Sequence, residues 1–350
     1  MARERSAPTM QDIARTAGVS QATVSLVLNS VAGVRVSDAT RLRVIEVAEE
    51  LGYRRNSRLR ADARATTAIG MVIDDVGASP FAVPLLEGAR DAAWEHQCVV
   101  STVITRNQMQ LQQAAIQSML AQPVVGIIYA TLITRQVTPP PIANDVPMVL
   151  LNCYDPSGAY ASATPDDVEG ARALTRALLD AGHTRIGHIS GETWIEAGLD
   201  RLNGYKQALG AHRIPFDPAL VQNLGSMAAG GHDGANVLLD LPNPPTAIFC
   251  YNDRMAMAAI EAARQRGLSV PEDLSIVGFD NDPFVLQLFP QLTTAILPHD
   301  EMARWAVEHI FDMHRHSRRG EVIQKKIACP LVRRKSIAGP AVRMEQARIR

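Results

Sequence analysis

Polar side chains recur at one kind of place in this chain, the carboxyl end of an apolar run. Asn152 closes VPMVLLN, Asn252 and Asp253 stand at the end of TAIFCYN, and Asp280 closes LSIVGFD. Carboxylates accept hydrogen bonds and amides both donate and accept, so such groups can pair with the neighbouring hydroxyls of a polyhydroxylated ligand. A ligand lacking one hydroxyl then leaves a buried group unpaired, which is a basis for discrimination. Phe81 in ASPFAVPL, with Trp194 and Phe284 as weaker candidates, can supply the apolar face that a sugar ring needs. The competing role for each is structural, a bond to a nearby turn, and for Trp194 that role is favoured.

Catalytic chemistry finds no comparable support. No strand is followed by G-x-G-x-x-G, no P-loop is present, and GHISG at 187–191 has the wrong spacing for a nucleophile elbow. His314 and His316 form an isolated H-x-H in a polar, Arg-rich stretch that reads as solvated. Cys98, Cys153, Cys250 and Cys329 lie far apart beside apolar runs, as buried thiols of a reducing compartment do. The chain is therefore expected to be no enzyme, with no catalytic residue, metal or cofactor.

A second constellation lies near the N-terminus. Thr9 can cap a first helix with Asp12 three residues on, Gly18 permits a tight turn, and Ser20 can cap a second helix. On that second helix Val24, Val27 and Leu28 face inward, while Gln21, Ala22, Ser25 and Leu26 face outward. Ser37 can cap a third, whose Val44, Val47, Ala48 and Leu51 complete a small core. Two helices around a short Gly-containing turn, the second exposing small polar groups at its start, is the helix-turn-helix arrangement that fits a DNA major groove. A plain three-helix cap or dimerisation module is the alternative.

These groups need elements to hold them. Continuous apolar runs at 69–73, 98–104, 124–130, 146–152, 184–190, 246–252 and 274–280 read as strands covered on both faces. Helical segments between them, such as EGARALTRALLDAG and RMAMAAIEAARQRG, end at glycine. The alternation predicts doubly wound α/β architecture, in two sheets rather than one. Charge separates the parts: residues 1–68 hold 11 Arg against 7 acids, and the rest is net acidic, which suits an anionic partner for the N-terminus alone. No export signal or membrane-length apolar run appears, so a cytoplasmic location is expected.

The string D-I-A-x-x-A-G-V-S-x-A-T-V-S-x-V-L-N, followed by V-S-x-A-T-R and LGY-x-x-N, resembles the DNA-binding head of the lactose repressor / galactose repressor family. The likeness continues through AGHTRIGHISG, DRLNGY, NDRMA, VPEDLSIVGFDN, LTTAILP and LVRRKS, in order along the chain. It implies an all-α helix-turn-helix head at 1–55 and a hinge at 56–68. It also implies a core of two doubly wound parallel-sheet subdomains like those of periplasmic binding proteins. The first would comprise 69–165 and 297–328, the second 166–296 and 329–340, with a tail at 341–350.

By position, the resemblance puts Gln21, Ala22 and Leu26 at base edges. Many relatives have arginine at the place of Leu26, and leucine can contact only a thymine methyl there. Thr9, Ser20, Thr23, Ser25, Asn29, Arg35, Thr40, Tyr53 and Asn56 fall where the family touches the phosphate backbone. The minor-groove leucine of many relatives is displaced in YRRNSRLRADARATTA: counting places Ala61 or Asp62 at its position, with Leu59 and Arg58 nearby. In the core the resemblance adds Arg201, in DRLNGY, as a ligand-binding arginine and Leu297 where relatives often carry glutamine.

The resulting expectation is a transcriptional regulator, a repressor, that binds a pseudo-palindromic operator as a homodimer. A small polar effector, sugar-like, would sit between the subdomains and control operator affinity. Two alternatives stay open: a solute-binding protein with no regulatory role, and a co-repressor-type regulator that answers a non-sugar metabolite. The tail contains Pro340 and no leucine heptads, so no tetramer is expected.

Overall fold

The computed structural model describes residues 9–28, 36–51, 67–74, 76, 81–142, 146–316 and 322–340. The chain divides into two compact units, Met1–Ala65 and Thr66–Arg350.

The first unit is three helices, α1 (Met10–Ala17), α2 (Gln21–Leu28) and α3 (Asp38–Glu50). Each begins at a hydroxyl side chain that satisfies an otherwise orphaned amide. Thr9 and Asp12 form a reciprocal capping box, Asp12 Oδ2 accepting from Thr9 N at 2.9 Å. Ser20 Oγ accepts from Thr23 N at 3.0 Å, and Ser37 Oγ from Thr40 N at 3.2 Å. Gly18 ends α1 in the left-handed region, φ 65°, where a Cβ would be strained. Ile13, Ala14, Ala17, Val24, Val27, Val44, Val47 and Ala48 make the core. Leu51 departs from expectation: it follows the last turn of α3 and is 37% exposed.

The second unit holds two lobes. The first is built from β1 (Thr67–Ile73), α4 (Ala82–Glu95), β2 (Cys98–Ile104), α5 (Met109–Leu120), β3 (Val124–Gln136), β4 (Met148–Tyr154) and β5 (Ala161–Pro165). The second holds α6 (Asp167–Asp180), β6 (Ile186–Ser190), α7 (Glu196–Ala211), β7 (Val221–Asn223), α8 (Ala228–Leu239), β8 (Ala247–Cys250), α9 (Asp253–Gln265), β9 (Ser275–Val277) and β10 (Thr294–Ala295). The chain then returns to the first lobe through α10 (His299–His316) and β11 (Gln324–Ile327), and ends in the second with β12 (Leu331–Val332).

The first sheet runs β11-β5-β4-β3-β1-β2 and the second β7-β6-β8-β9, all neighbours parallel. Alternate residues of one strand enter different cores: Ile69, Met71 and Ile73 pack with α4 and α10, while Val72 packs with α5. Both faces are covered, which is why the runs read as continuously apolar. The second lobe repeats this, with Ile248 and Cys250 facing α8 and α9, and Ala247 and Phe249 facing α6 and α7.

Three chain crossings join the lobes, and they are bonded to one another. Asp166 N donates to Ile327 O at 2.8 Å, and Ile296 N to Pro330 O at 2.9 Å. Ser336, fully buried, secures the last segment to the second sheet by accepting from Thr293 N at 2.8 Å.

Candidate functional site

The carboxyl ends of both sheets face each other across a cavity of about 440 Å³. This is where open parallel sheets collect ligands, because the strands diverge and the following helices begin there.

Arg201 organises the second lobe's side of it. The residue projects from α7, is 3% exposed, and donates from Nε to Asp167 Oδ1 at 2.8 Å. Its Nη1 donates to Tyr251 O at 2.6 Å and to Asp280 Oδ1 at 3.2 Å. The guanidinium carbon lies 3.7 Å from the Phe279 ring centroid and 4.6 Å from that of Tyr251. Aromatic faces and carboxylates thus hold the cation out of water. Burial opposes its charge, but Asp167 and Asp280 outweigh burial and hold its pKa above the ordinary value. One cation cannot balance both acids: burial pushes Asp280 up to about 7 against the pull of Arg201, and raises Asp167 as well.

Backbone strain helps to aim these groups. Asp280 has φ 110° and Asn281 φ 57°, in a turn leaving the second sheet, and Asn152 has φ 57° at the end of the first. Left-handed residues other than glycine need support from their surroundings. For Asn152 that support is visible: Thr134 Oγ1 donates to its Oδ1 at 2.7 Å, and its Nδ2 donates to Thr131 O at 3.1 Å.

Of the residues expected at the effector site, Phe81, Asn152, Arg201, Asn252, Asp280 and Leu297 line the cavity. Asn252 is also the N-cap of α9, its Oδ1 accepting from Met255 N at 2.8 Å. Phe81 stacks on His299 with ring centroids 5.6 Å apart. Three of the expected residues lie off the cavity wall. Asp253 lies outside the cavity wall and is fully buried; it accepts from Thr294 Oγ1 at 2.6 Å and from Asp282 N at 2.8 Å. As the first residue of α9 it turns beneath the strand ends, so it steadies the loop carrying Asp280 rather than facing a ligand. Burial pushes its carboxyl up to about 8, with Asp280 adding to the effect. Trp194 is 72% exposed and also off the wall, as is Phe284.

The sequence reading missed Asp74, Thr134, Asp167, Tyr251 and Arg254, all on the wall. Asp74 carried the same signal as Asp280, a carboxylate directly after an apolar run. It pairs with Arg135 at 2.9 Å and accepts from Leu132 N at 3.3 Å. Arg254 Nε donates to buried Asp282 at 3.2 Å. Asp167, at the start of α6, carried no signal of its own. The cavity offers hydrogen bonds and apolar contact, with no thiol poised to react: burial pushes Cys153 up to about 12 and raises Cys98, Cys250 and Cys329. Among the described residues no His, Cys, Asp and Glu group of three could hold a metal.

On the head, Gln21 and Ala22 at the start of α2 are exposed, as are Thr9 and Ser20. Thr23, Ser25, Leu26 and Thr40 are half-buried. Ser20 Oγ and Thr23 Oγ1 share a hydrogen bond of 2.8 Å. Asn29, Arg35, Tyr53, Asn56, Arg58, Leu59, Ala61 and Asp62 lie outside the described residues. Among the described residues no helix is long and apolar enough to cross a membrane.

Known proteins match both units. Residues 9–56 fit the pattern of bacterial regulatory proteins of the lacI family, and residues 175–337 that of the periplasmic binding protein-like domain. The repressor CytR of Escherichia coli K12 is 33% identical over 311 residues, 89% of this chain and 91% of its own. The ribose operon repressor of Haemophilus influenzae is 32% identical over 302 residues, 86% of this chain and 90% of its own. A LacI-family regulator from Rhizobium etli superposes with a TM-score of 0.70 at 28% identity, covering 77% of this chain and 99% of that one. With relatives aligned along nearly their whole length and a helix-turn-helix head ahead of a two-lobed core, the chain belongs to the lacI family of bacterial regulatory proteins and is a DNA-binding transcriptional regulator.

Proposed function

We propose that the cavity takes a small polyhydroxylated effector, a sugar or sugar derivative, and that its binding controls repression at a pseudo-palindromic operator. The observation that carries this reading is Arg201, buried between Asp167 and Asp280 at the cavity wall. A fixed cation beside a carboxylate matches adjacent hydroxyls, and the ribose operon repressor among the relatives supports the ligand class. The effector acts by favouring one arrangement of the lobes over another, since only unequal binding shifts an equilibrium.

In this reading the protein works in the cytoplasm as a homodimer, with heads at residues 1–55, hinges at 56–68, and the remaining boundaries as the family resemblance implies. One head makes too few contacts for useful specificity, and two heads meet two half-sites. Gln21 reads a base edge by hydrogen bonding, while Ala22 and Leu26 contribute apolar contact. Thr9, Ser20, Thr23, Ser25 and Thr40 hold phosphates.

Thermal-shift screening of the full chain against sugars, polyols, nucleobases and sugar phosphates tests the effector reading. A ligand of the proposed class raises the melting temperature, and Arg201→Ala or Asp280→Ala abolishes that shift while operator binding by the free protein persists. A shift that survives both substitutions rejects the site.

A further inference from the structure

A second cavity, of about 510 Å³, lies against another face of α7 and shares no lining residue with the first. Ala197 and Arg201 line the first cavity, whereas Glu196, Leu199 and Asp200, three and four positions apart, line the second. The opposite wall belongs to β5 and β11 of the first lobe, through Thr164 and Lys326 among others. Tyr154, the last residue of β4, crosses between the lobes and donates to Glu196 Oε1 at 2.8 Å.

The two walls offer opposite chemistry. On α7, Glu196 Oε2 and the whole carboxylate of Asp200 accept no hydrogen bond among the described residues. Burial raises the pKa of Asp200, and Lys326 only partly opposes this while Glu196 and Asp166 add to it, so the charge there is incompletely balanced. On the first lobe, Lys326 Nζ can donate three bonds and makes one, to Pro165 O at 3.3 Å. Thr164 is 5% exposed, and its hydroxyl has no partner among the described residues. A buried hydroxyl left unpaired is unfavourable, so one that borders a cavity favours an occupant that can bond to it. Ser162 and Gln324, beside it, are already bonded to each other.

Acceptors on one wall and donors on the other select a molecule that is positive at one end and negative at the other. A simple anion would meet two carboxylates, and a neutral polyol would leave Asp200 unbalanced. A metal ion would satisfy the α7 side alone, and no described group of three His, Cys, Asp or Glu could hold one.

We propose that this cavity is a second ligand site, for a small zwitterion of the amino-acid class. Its ammonium group lies between Glu196 and Asp200, its carboxylate meets Lys326 and Thr164, and its carbons cover Leu199, which is half uncovered at 51% exposure. Held from both lobes, the occupant favours the arrangement that keeps them within its reach, and so acts on the same equilibrium as a ligand of the first cavity. The proposal does not depend on the sugar reading.

Calorimetric titration of the full chain with the common amino acids and γ-aminobutyrate tests this, with the amide of whichever binds as the partner that lacks a carboxylate. One member of the set binds saturably, and its amide binds about tenfold more weakly, as loss of one charge-assisted bond implies. Lys326→Gln weakens the acid and brings acid and amide within about threefold of each other, whereas Asp200→Asn weakens both and preserves their ratio. Asp200 is half-buried and Lys326 exposed, so both variants should fold, as their melts would verify. Affinity untouched by both substitutions overturns the proposal, because the zwitterion then sits elsewhere. Equal binding of acid and amide, or of 1,4-diaminobutane and the acid, also overturns it, since the site then reads positive charge alone. Failure of every amino acid to bind overturns it as well.

Discussion

Asp280 and Asp253 sit within one network of buried acids, with Arg201 as the cation at its cavity end, and that network ties stability to pH. Both carboxyls have folded-state pKa values above the ordinary 3.8, about 7 and about 8, chiefly through burial. The folded chain therefore holds protons that the unfolded chain releases. The associated stability is fully present below pH about 4 and is lost as pH rises through 7 and 8. Thermal melts of the core should accordingly shift downward between about pH 5 and 8.5, and Asp253→Asn should flatten part of that slope, since an amide can accept from Asp282 N and donate to Thr294. A melt independent of pH in that window would reject the assignment. On the head, Leu26→Arg should move base preference at one operator position toward guanine, as selection from randomised operators would reveal. Asn152, Asn252 and Asp280 line the cavity because each lies near the carboxyl end of a parallel strand or in the turn that follows it, where the sheet opens. Sequence misplaced Asp253 because the residue after Asn252 already follows helical geometry, and Trp194 because residue type says nothing about which side of a loop is wet.

Helix α7 connects the cavity wall to packing. It carries Arg201, and three residues later Gly204 lies against α6; a Cβ there would meet Val168 O at 2.2 Å and the Ala171 Cβ at 2.9 Å. Backbone cannot yield as a flexible side chain can, so Gly204→Ala must part the two helices and draw Arg201 from Asp167. The expected cost is about 1–3 kcal/mol of core stability, with weaker effector affinity although no cavity residue has changed. Denaturant titration and calorimetry on the same variant would check both, and unchanged affinity would show that the α6 contact does not position Arg201. The long apolar strands and glycine-ended helices were legible from local pattern. The strand β5, reading ASATP, was not: its residues have little intrinsic preference for a strand, and it exists because β4 and β11 flank it. The short β7, β10 and β12 likewise depend on partners remote in sequence.

At the scale of the molecule, the division at residues 65 and 66 makes reading and sensing separable. A chain lacking residues 1–65 should keep its effector-induced thermal shift and lose operator binding; loss of the shift would mean that the head contributes to the sensor. The interleaving of the core has a different implication, one about synthesis. The first lobe's apolar centre includes Met302, Ala303, Val307 and Ile310 of α10, and β5, already paired with β4, acquires its outer neighbour only when β11 arrives. On the ribosome the head can therefore close within its first few dozen residues, and the second lobe can gather its strands next. The first lobe, begun earliest in the core, must wait with an open flank until almost the last segment has emerged. A message cut short before α10 would yield a reader of DNA attached to a sensor that never closed.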